Sequence, residues 1–266
     1  MYEEQSISVG EAARQLGVGV STLKRWADSG KIDSFRTLGG HRRFTGRALG
    51  RFRARRESAG SFEADWLDLL CNENDSNAVA AELLRLRASA GAWCLAADQL
   101  GTVMDELGKR WASGAITVLQ EHLASQRLSR ACSLCAQTLP VSPAAPRALL
   151  ATAEGDEHTL GLALAELVFR EAGWEPLWAG RSTPVSSLVE AIKQKAVDLV
   201  ALSASSASQD AETLARNYLA LELSARDADV ELVLGGEGAW PDDLPHGHRF
   251  HAFADLSRLL REMAGR

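Results

Sequence analysis

The residues with the clearest capacity for chemistry are Asp156, His158 and Gly161, which follow the short apolar run 148–153. A histidine on a loop after a strand can direct its imidazole at a metal ion, and a carboxylate two residues earlier can accept the other ring N–H. That hydrogen bond fixes the tautomer and makes the free nitrogen a better ligand, while a glycine lets a bulky ligand approach the backbone. Taken alone, an aspartate beside a histidine more commonly forms a structural hydrogen bond. Other residues of the chain must therefore indicate whether His158 is a metal ligand.

Two later segments extend this triplet into a longer pattern. Ser203-Ala-Ser205 begins about forty residues after Gly161, and Gly235-Gly236 follows. A glycine pair by itself is typical of a turn at the end of a strand. Together, the three elements resemble the motif of cobalamin-binding domains, in which Asp-x-His-x-x-Gly is followed by Ser-x-Leu and then by Gly-Gly. This sequence departs from that motif at Ser205, where leucine is usual.

The resemblance implies a bound cobalamin whose own base is displaced from the cobalt, with His158 as the lower axial ligand. Asp156 would orient this histidine. The small and polar residues of the motif would contact the ligand and leave room for its dimethylbenzimidazole tail; they are Gly161, Ser203, Ser205, Gly235 and Gly236.

A second histidine lies in a helical region, at the end of the segment from Trp111 to His122. On its own, Trp111 would be a core residue and Glu121-His122 an exposed helix surface. The spacing of these residues resembles the bundle of the CarH/LitR group of light-responsive regulators, which lies between a MerR-type head and a cobalamin domain. The resemblance implies adenosylcobalamin as the cofactor, with Trp111, Val118 and Glu121 around its adenosyl group. It also implies that His122 becomes the upper cobalt ligand after photolysis.

The N-terminal segment 1–57 is basic and predicts a helix-turn-helix. Ser8–Leu16 predicts the first helix, and Ser21 is the expected N-cap of a second helix over Thr22–Ser29. Gly39-Gly40, between apolar and basic residues, predicts a hairpin. The segment resembles the winged DNA-binding domain of MerR-type regulators, most specifically in the run from Gly39 to Phe44. That resemblance implies contacts with double-stranded operator DNA by a polar and basic set: Thr22, Lys24, Arg25, Arg36, His41, Arg42 and Arg43. The alternative is a solvated basic domain without a DNA role.

The elements that must position these residues follow from composition and periodicity. Residues 57–61 indicate a linker, and 62–139 are rich in helix formers and long enough for four helices. Three prolines within 140–146 indicate an extended connector. We therefore predict a multidomain α and α/β fold. It comprises a winged helix-turn-helix domain over 1–57, a four-helix bundle over 62–139 that caps the upper face of the cobalamin, and a Rossmann-like parallel-sheet cobalamin-binding domain over 147–266.

Within 147–266, short apolar runs alternate with helical stretches, which is typical of βαβ units and a parallel sheet. The expected strands are 148–153, 177–179, 199–203, 230–234 and a last strand near 250–253. The expected helices are 160–172, 185–195, 211–225 and 255–263.

Composition narrows the class of protein. The chain has 266 residues, of which 46% are hydrophobic and 24% charged, as in globular proteins. No apolar run reaches about 18 residues, and the N-terminus lacks the pattern of a secretory signal, so we expect a cytoplasmic protein with no membrane partner. The formal net charge of -6 is unevenly distributed along the chain. Residues 1–57 carry twelve basic and six acidic residues, a net charge of +6, whereas the remainder has a net charge of -12. Only the head is therefore expected to meet a polyanion.

The resemblance to the CarH/LitR group implies a transcriptional repressor that is also a photoreceptor. It would bind its operator as a tetramer in the dark and dissociate when light breaks the cobalt–carbon bond. One alternative is the same architecture sensing another cobalamin, another tetrapyrrole or a partner protein. A further alternative is a corrinoid carrier, but the DNA-binding head argues against it. No catalytic acid–base pair is visible, so we expect no enzymatic activity.

Overall fold

The computed structural model describes residues 6–16, 20–28, 32–37, 39–72 and 75–264. Within its helices, the side chains of residues 21, 22, 25, 28, 53–61 and 264 lie outside what it describes. The chain divides into two units, Met1–Trp66 and Leu67–Arg266. The predicted class, a helix-turn-helix region with helices and a parallel sheet, is confirmed, while the domain boundaries stay a prediction.

Within the described residues, the first unit contains a small antiparallel sheet and three helices. Its elements are β1 (Ser6–Ser8), α1 (Val9–Leu16), α2 (Val20–Asp28), β2 (Phe35–Arg36), β3 (Arg42–Thr45) and the beginning of α3 (Gly46–Asn72). The strands pair in the order β1-β3-β2, and Gly40 adopts a φ of 77° in the turn between β2 and β3, which glycine tolerates without strain. Ala12, Leu23 and Phe44 are fully or almost fully buried at the centre of the unit's core.

Three expectations for this region were wrong. Ser8 belongs to strand β1 rather than to the first helix, because its backbone pairs with Arg43. Ser21 is not the N-cap, since α2 already begins at Val20, and exact helix ends depend on cap geometry that residue spacing does not fix. The stretch 57–61 is not a linker, because α3 continues through it. Its single glycine costs only about 1 kcal/mol relative to alanine, which the neighbouring helix formers outweigh.

The helical part of the second unit consists of the end of α3 together with α4 (Ser76–Ala90), α5 (Trp93–Ala112) and α6 (Val118–Gln137). Local sequence sets these ends. Asp75 caps α4 by accepting a hydrogen bond from the N–H of Asn77, and Gly91 ends α4 in the left-handed conformation. Thr117 and Gln120 form a capping box at the start of α6. Apolar side chains of these helices are buried, among them Leu70, Leu83, Leu100 and Leu128.

The sheet part of the second unit contains five parallel strands and four helices within the described range. The strands are β4 (Arg147–Thr152), β5 (Glu175–Gly180), β6 (Leu199–Ser203), β7 (Glu231–Gly235) and β8 (His248–Phe250). They lie in the order β5-β4-β6-β7-β8, and every neighbouring pair is parallel. The helices are α7 (Leu160–Glu171), α8 (Val185–Lys193), α9 (Ala211–Ala228) and α10 (Phe253–Ala264).

Helix α7 joins the bundle to the sheet. Every residue from Leu162 to Phe169 is buried, as expected for a helix covered on more than one side, and α7 contacts α5 and α6 as well as β4 and β5. Two carboxylates reinforce this junction. Glu171 accepts hydrogen bonds from Arg87 Nη2 at 2.8 Å and from the N–H of Trp93 at 2.8 Å. Asp98 accepts from the N–H groups of Phe253 and Ala254 at the start of α10, at 2.6 and 3.1 Å.

Candidate functional site

The strand order places the candidate site at the topological switch point of the sheet, where the direction of the connections between strands reverses. Strand β4 lies between β5 and β6, so the chain leaves β4 and β6 towards opposite sides of the sheet. In an open parallel sheet, the crevice at the carboxyl ends of two such strands is the usual ligand-binding position. The loop after β4 carries Asp156 and His158, and the loop after β6 carries Ser205 and Ser208. The fold therefore brings together residues that lie about fifty positions apart in the sequence.

Asp156 is the centre of a hydrogen-bond network that joins these two loops. Its buried carboxylate accepts bonds at both oxygens. Oδ1 accepts from the backbone N–H and from the ring nitrogen Nδ1 of His158, both at 2.9 Å. Oδ2 accepts from the N–H of Ser205 at 2.5 Å and from the hydroxyl of Ser208 at 2.7 Å. Four donors thus converge on one carboxylate.

This network keeps Asp156 ionised. Burial on its own would raise the pKa of the Asp156 carboxyl, but the N–H groups of Ser205 and His158 and the hydroxyls of Ser208 and Ser205 outweigh it and lower the pKa to about 2. A permanently charged acceptor holds the proton of His158 on Nδ1. The other ring nitrogen, Nε2, then carries the lone pair that a metal ligand needs.

His158 itself is accessible. Its side chain is 65% exposed, whereas that of Asp156 is fully buried. Among the described residues, no group is hydrogen-bonded to Nε2 of His158. The geometry therefore presents an oriented imidazole, with a fixed tautomer and an open nitrogen, at the carboxyl edge of the sheet.

The small residues of the motif meet around Ser203. A Cβ built on Gly161 would lie 3.8 Å from Ser203 Oγ, and a Cβ on Gly236 would lie 3.3 Å from the same atom and 2.2 Å from the carbonyl oxygen of Ala204. Gly236 also has a φ of 85°, so both its conformation and its surroundings require glycine. Gly235 faces open space. Gly161, Ser203 and Gly236 thus form one compact wall beside the Asp156 network.

Sequence reasoning missed the residues that brace this loop. Thr152 donates its hydroxyl proton to the carbonyl oxygen of Asp156 at 2.5 Å, and its Oγ1 accepts from the N–H of Ser182 at 2.7 Å. The hydroxyl oxygen of Ser182 accepts from the N–H of Gly155 at 3.0 Å. Ser208 was also missed. Nothing in the local sequence distinguishes these residues from ordinary loop residues, because most of their partners lie on loops that follow other strands.

The bundle residues singled out from the sequence lie around the turn between α5 and α6. Trp111 is 51% exposed and Val118 is 56% exposed, so the expectation for Trp111 alone, a core residue, was wrong. His122 is exposed, and its Nδ1 lies 2.8 Å from the carbonyl oxygen of Val118 and 3.0 Å from Glu121 Oε2. Ser125 donates to the other carboxylate oxygen of Glu121 at 2.7 Å. This turn presents two exposed apolar side chains beside an oriented imidazole.

No hydrogen bond within the described residues joins this turn to the Asp156 network. The structure positions two histidines, His158 on the sheet and His122 on the bundle, each with its Nδ1 beside a carboxylate oxygen. That both face one ligand stays a prediction.

The candidate DNA-binding residues surround a cleft of about 570 Å³ in the first unit, formed by the beginnings of α1 and α2 and by the hairpin. Arg42 donates to the carbonyl oxygen of Lys24 at 3.1 Å, and Arg36 donates to that of Gly40 at 3.2 Å. The residues of the cleft are Ser8, Val9, Gly10, Val20, Lys24, Arg36, Gly40, His41, Arg42 and Arg43. The side chains of Thr22 and Arg25 lie outside the described residues. Five of the seven predicted contact residues thus share one basic surface.

Several cysteine and tryptophan side chains lie outside the motifs of the site. Cys132 and Cys135 are buried free thiols, and burial raises the pKa of Cys135 to about 11. Trp174 is buried, whereas Trp178 is 42% exposed. Its indole N–H donates to Glu166 at 2.8 Å.

Among the described residues, no helix is both long and apolar enough to cross a membrane. Within the same ranges, no group of three or more acidic, histidine or cysteine side chains is arranged to hold a metal ion. A metal at His158 would therefore have to bring most of its own ligands.

Comparison with known families identifies the parts of the chain. A helix-turn-helix domain model matches residues 7–57, and two B12 binding domain models match residues 75–135 and 146–246. The chain joins a helix-turn-helix domain to B12-binding domains. Their positions agree with the basic head, the bundle and the sheet that carry the site described above.

Two curated relatives of this chain are helix-turn-helix transcriptional repressors. The chain is 36% identical over 101 residues to the HTH-type transcriptional repressor CarA of Myxococcus xanthus, and this match covers 38% of this chain and 33% of that protein. It is 35% identical over 132 residues to the HTH-type transcriptional repressor CarH of the same organism, covering 47% and 42%. The matched parts span less than half the length of each of these two relatives. With the domain matches, these homologues confirm the resemblance to CarH-type regulators.

A solved structure supports the fold. The monomethylamine corrinoid protein of Methanosarcina barkeri superimposes with a TM-score of 0.53 over 75% of this chain and 96% of its own, at 19% identity. At this identity the likeness concerns the arrangement of helices and parallel sheet alone. It confirms that the bundle and sheet of the second unit form a fold that corrinoid proteins also use.

Proposed function

We propose that this protein is a transcriptional repressor that binds adenosylcobalamin and releases its operator DNA in the light. The observation that carries the proposal is the Asp156–His158 pair, with Nε2 of His158 open at the switch point of the sheet, in a chain that also has a helix-turn-helix domain. The homology to two repressors supports the regulatory part of this function.

The residues present fit a cobalamin. Cobalt needs a neutral imidazole nitrogen, and the charged Asp156 holds His158 in the tautomer that provides it. The wall of Gly161, Ser203 and Gly236 presents no bulky side chain beside this imidazole, as an inserted nucleotide tail would require. We assign His158 as the lower ligand, and Asp156, Gly161, Ser203, Ser205, Gly235 and Gly236 as the surrounding contacts.

The head supplies the DNA contacts in this proposal. Lys24, Arg36, His41, Arg42 and Arg43 line one cleft, and the bond from Arg42 to the carbonyl oxygen of Lys24 ties the hairpin to the second helix. Guanidinium and ammonium groups bind phosphate largely through counterion release, so binding should weaken steeply with salt. Thr22 and Arg25 complete the proposed set from their places on α2.

The light response would reside at the turn between α5 and α6. When bound, adenosylcobalamin supplies a cobalt–carbon bond that visible light breaks. Trp111 and Val118 expose apolar surface that an adenosyl group could cover, and the Glu121 carboxylate can accept its hydrogen bonds. His122 has its Nδ1 held by Val118 and Glu121, which leaves Nε2 available to approach the vacated upper face.

Assembly would convert this local change into release of DNA. We propose that the dark form is a tetramer and that the shift of the bundle dissociates it. A tetramer presents several basic heads to one operator, whereas a single head with a net charge of +6 has few phosphate contacts. Loss of the tetramer therefore removes avidity along with individual contacts.

The experiment that tests this function uses a DNA duplex selected from random sequences by the dark, adenosylcobalamin-loaded protein. We expect the loaded protein to elute as a tetramer and to shift the duplex in the dark, and both properties to disappear after illumination. The matched control is protein loaded with hydroxocobalamin. This cobalamin has no cobalt–carbon bond on its upper face, so illumination should change neither the elution nor the DNA binding of the control.

Two results would contradict parts of the proposal. DNA binding that is identical before and after illumination would remove the light response and leave a cobalamin-binding regulator of another signal. Retention of cobalamin without selection of any DNA sequence would favour a corrinoid carrier instead.

A further inference from the structure

Ser205 occupies the position at which this chain departs from the usual cobalamin-binding motif, and its hydroxyl faces the imidazole. Ser205 Oγ lies 3.1 Å from His158 Nδ1 and accepts a hydrogen bond from the N–H of Ala207 at 3.2 Å. The side chain is thus a junction between the imidazole ring and its own loop.

The consequence for His158 is that Nδ1 lies between two oxygens. One belongs to Asp156, at 2.9 Å, and the other to Ser205, at 3.1 Å. A single acceptor fixes the tautomer but leaves the ring free to swing about that hydrogen bond, and the ring is 65% exposed, so packing restrains it little. A second oxygen restricts that swing. Leucine at this position has no atom that could accept the N–H.

We propose that Ser205 is a positioning residue that, together with Asp156, holds the His158 imidazole in the orientation its ligand requires. This inference rests on the proposed function, because it concerns how His158 meets cobalamin. A ring that is already oriented loses less conformational freedom on binding, so the hydroxyl strengthens ligation through the imidazole, apart from the contact with the cofactor assigned to Ser205 above. Partners of this kind commonly change metal affinity by about 10- to 100-fold when they are removed.

The test compares Ser205→Thr with Ser205→Val, two variants of almost the same shape that differ in the hydroxyl. Adenosylcobalamin is titrated into each apo protein in the dark, and the absorbance spectrum reports both the dissociation constant and the fraction of cobalt ligated by histidine. We expect Ser205→Thr to stay within about twofold of the wild type. We expect Ser205→Val to bind about tenfold more weakly, with a smaller histidine-ligated fraction.

Ser205→Ala and Ser206→Ala provide a second comparison that avoids any effect of branched side chains. Ser205→Ala keeps the backbone N–H that donates to Asp156 and removes the hydroxyl alone. Ser206 is an exposed serine of the same loop, so its replacement controls for loop effects. Ser205→Ala should weaken binding about fivefold or more and Ser206→Ala should not. Because Ser205→Ala also removes the acceptor of the Ala207 N–H, its apo protein should stay folded with a thermal unfolding midpoint lowered by a few degrees at most.

The outcomes separate this inference from the function on which it rests. If the wild type takes up no cobalamin, the proposed function fails and the inference fails with it. If the wild type binds cobalamin but Ser205→Val binds as tightly as Ser205→Thr, with the same histidine-ligated spectrum, then only the positioning role is overturned.

Discussion

Replacing Asp156 by asparagine should destabilise the second unit by about 3 kcal/mol at neutral pH, even without any ligand. The carboxylate accepts four hydrogen bonds, two at each oxygen. An asparagine offers one oxygen, so its NH₂ group must face either His158 or the Ser205 N–H and Ser208 hydroxyl. Ser208 can rotate to accept, but the N–H of Ser205 cannot, and an orphaned buried donor costs about 1–3 kcal/mol. The lost charge of the acceptor adds about 1 kcal/mol.

The pH dependence of this difference follows from the pKa of Asp156. The folded protein lowers it from 3.8 to about 2, so the unfolded chain binds the proton more readily. The stabilisation is therefore complete above about pH 5 and is lost as the pH falls through 3.8 towards 2. The wild type should lose about 1 kcal/mol of this stabilisation by pH 3 and about 2 kcal/mol by pH 2. The Asp156→Asn variant has no carboxyl at this position and should lose none through it.

The assay is urea unfolding of the apo protein, followed by tryptophan fluorescence and by far-ultraviolet circular dichroism, between pH 7 and pH 3. The control is Asp210→Asn, because Asp210 is an exposed N-cap of α9 and asparagine caps helices as well as aspartate does. Its unfolding midpoint should stay unchanged. A cost below about 1 kcal/mol for Asp156→Asn, or a difference that does not narrow towards pH 3, would refute the assigned hydrogen bonds.

Three further predictions concern other parts of the molecule. Gly236→Ala should lower the free energy of unfolding in urea by about 3 kcal/mol, because its Cβ would meet the carbonyl oxygen of Ala204 and the backbone there is left-handed. Gly235→Ala, whose Cβ meets nothing within 4 Å, should lower it by under about 1 kcal/mol. Equal effects of the two substitutions would contradict the geometry. Arg43→Ala should weaken DNA binding and lower the slope of log affinity against log salt by about 1, and an unchanged slope would exclude a phosphate contact. His122→Ala should leave the dark tetramer intact but change the absorbance spectrum of the illuminated protein, and an identical lit spectrum would rule out its role as upper ligand.

Much of the sheet and its principal site residues could be predicted because they depend on local signals. Apolar runs such as 199–203 mark the parallel strands, and a histidine directly after a strand is placed at the carboxyl edge by the fold itself. The spacing that suggested Asp156 and His158 as partners is a local property too, because both lie on one turn of one loop.

The features that could not be predicted depend on partners distant in the sequence. Glu171 and Asp98 join the bundle to the sheet through residues 78 or more positions away, and no local pattern identifies either partner. Helix α10 begins at Phe253, two residues before the predicted start, because Asp98 accepts its first N–H groups. The predicted linker at 57–61 was wrong for a related reason, since a single glycine and two serines are weak signals against long helical neighbours.

The measurement that tests the central claim most directly is the visible absorbance of the full chain purified with adenosylcobalamin in darkness, recorded before and after illumination. We predict that the wild type retains the cofactor through gel filtration and that its spectrum changes irreversibly in the light, while His158→Ala loses most of the cofactor. A wild-type protein that elutes colourless, or one whose retained spectrum is unchanged by light, would contradict a cobalamin-dependent light switch in this protein.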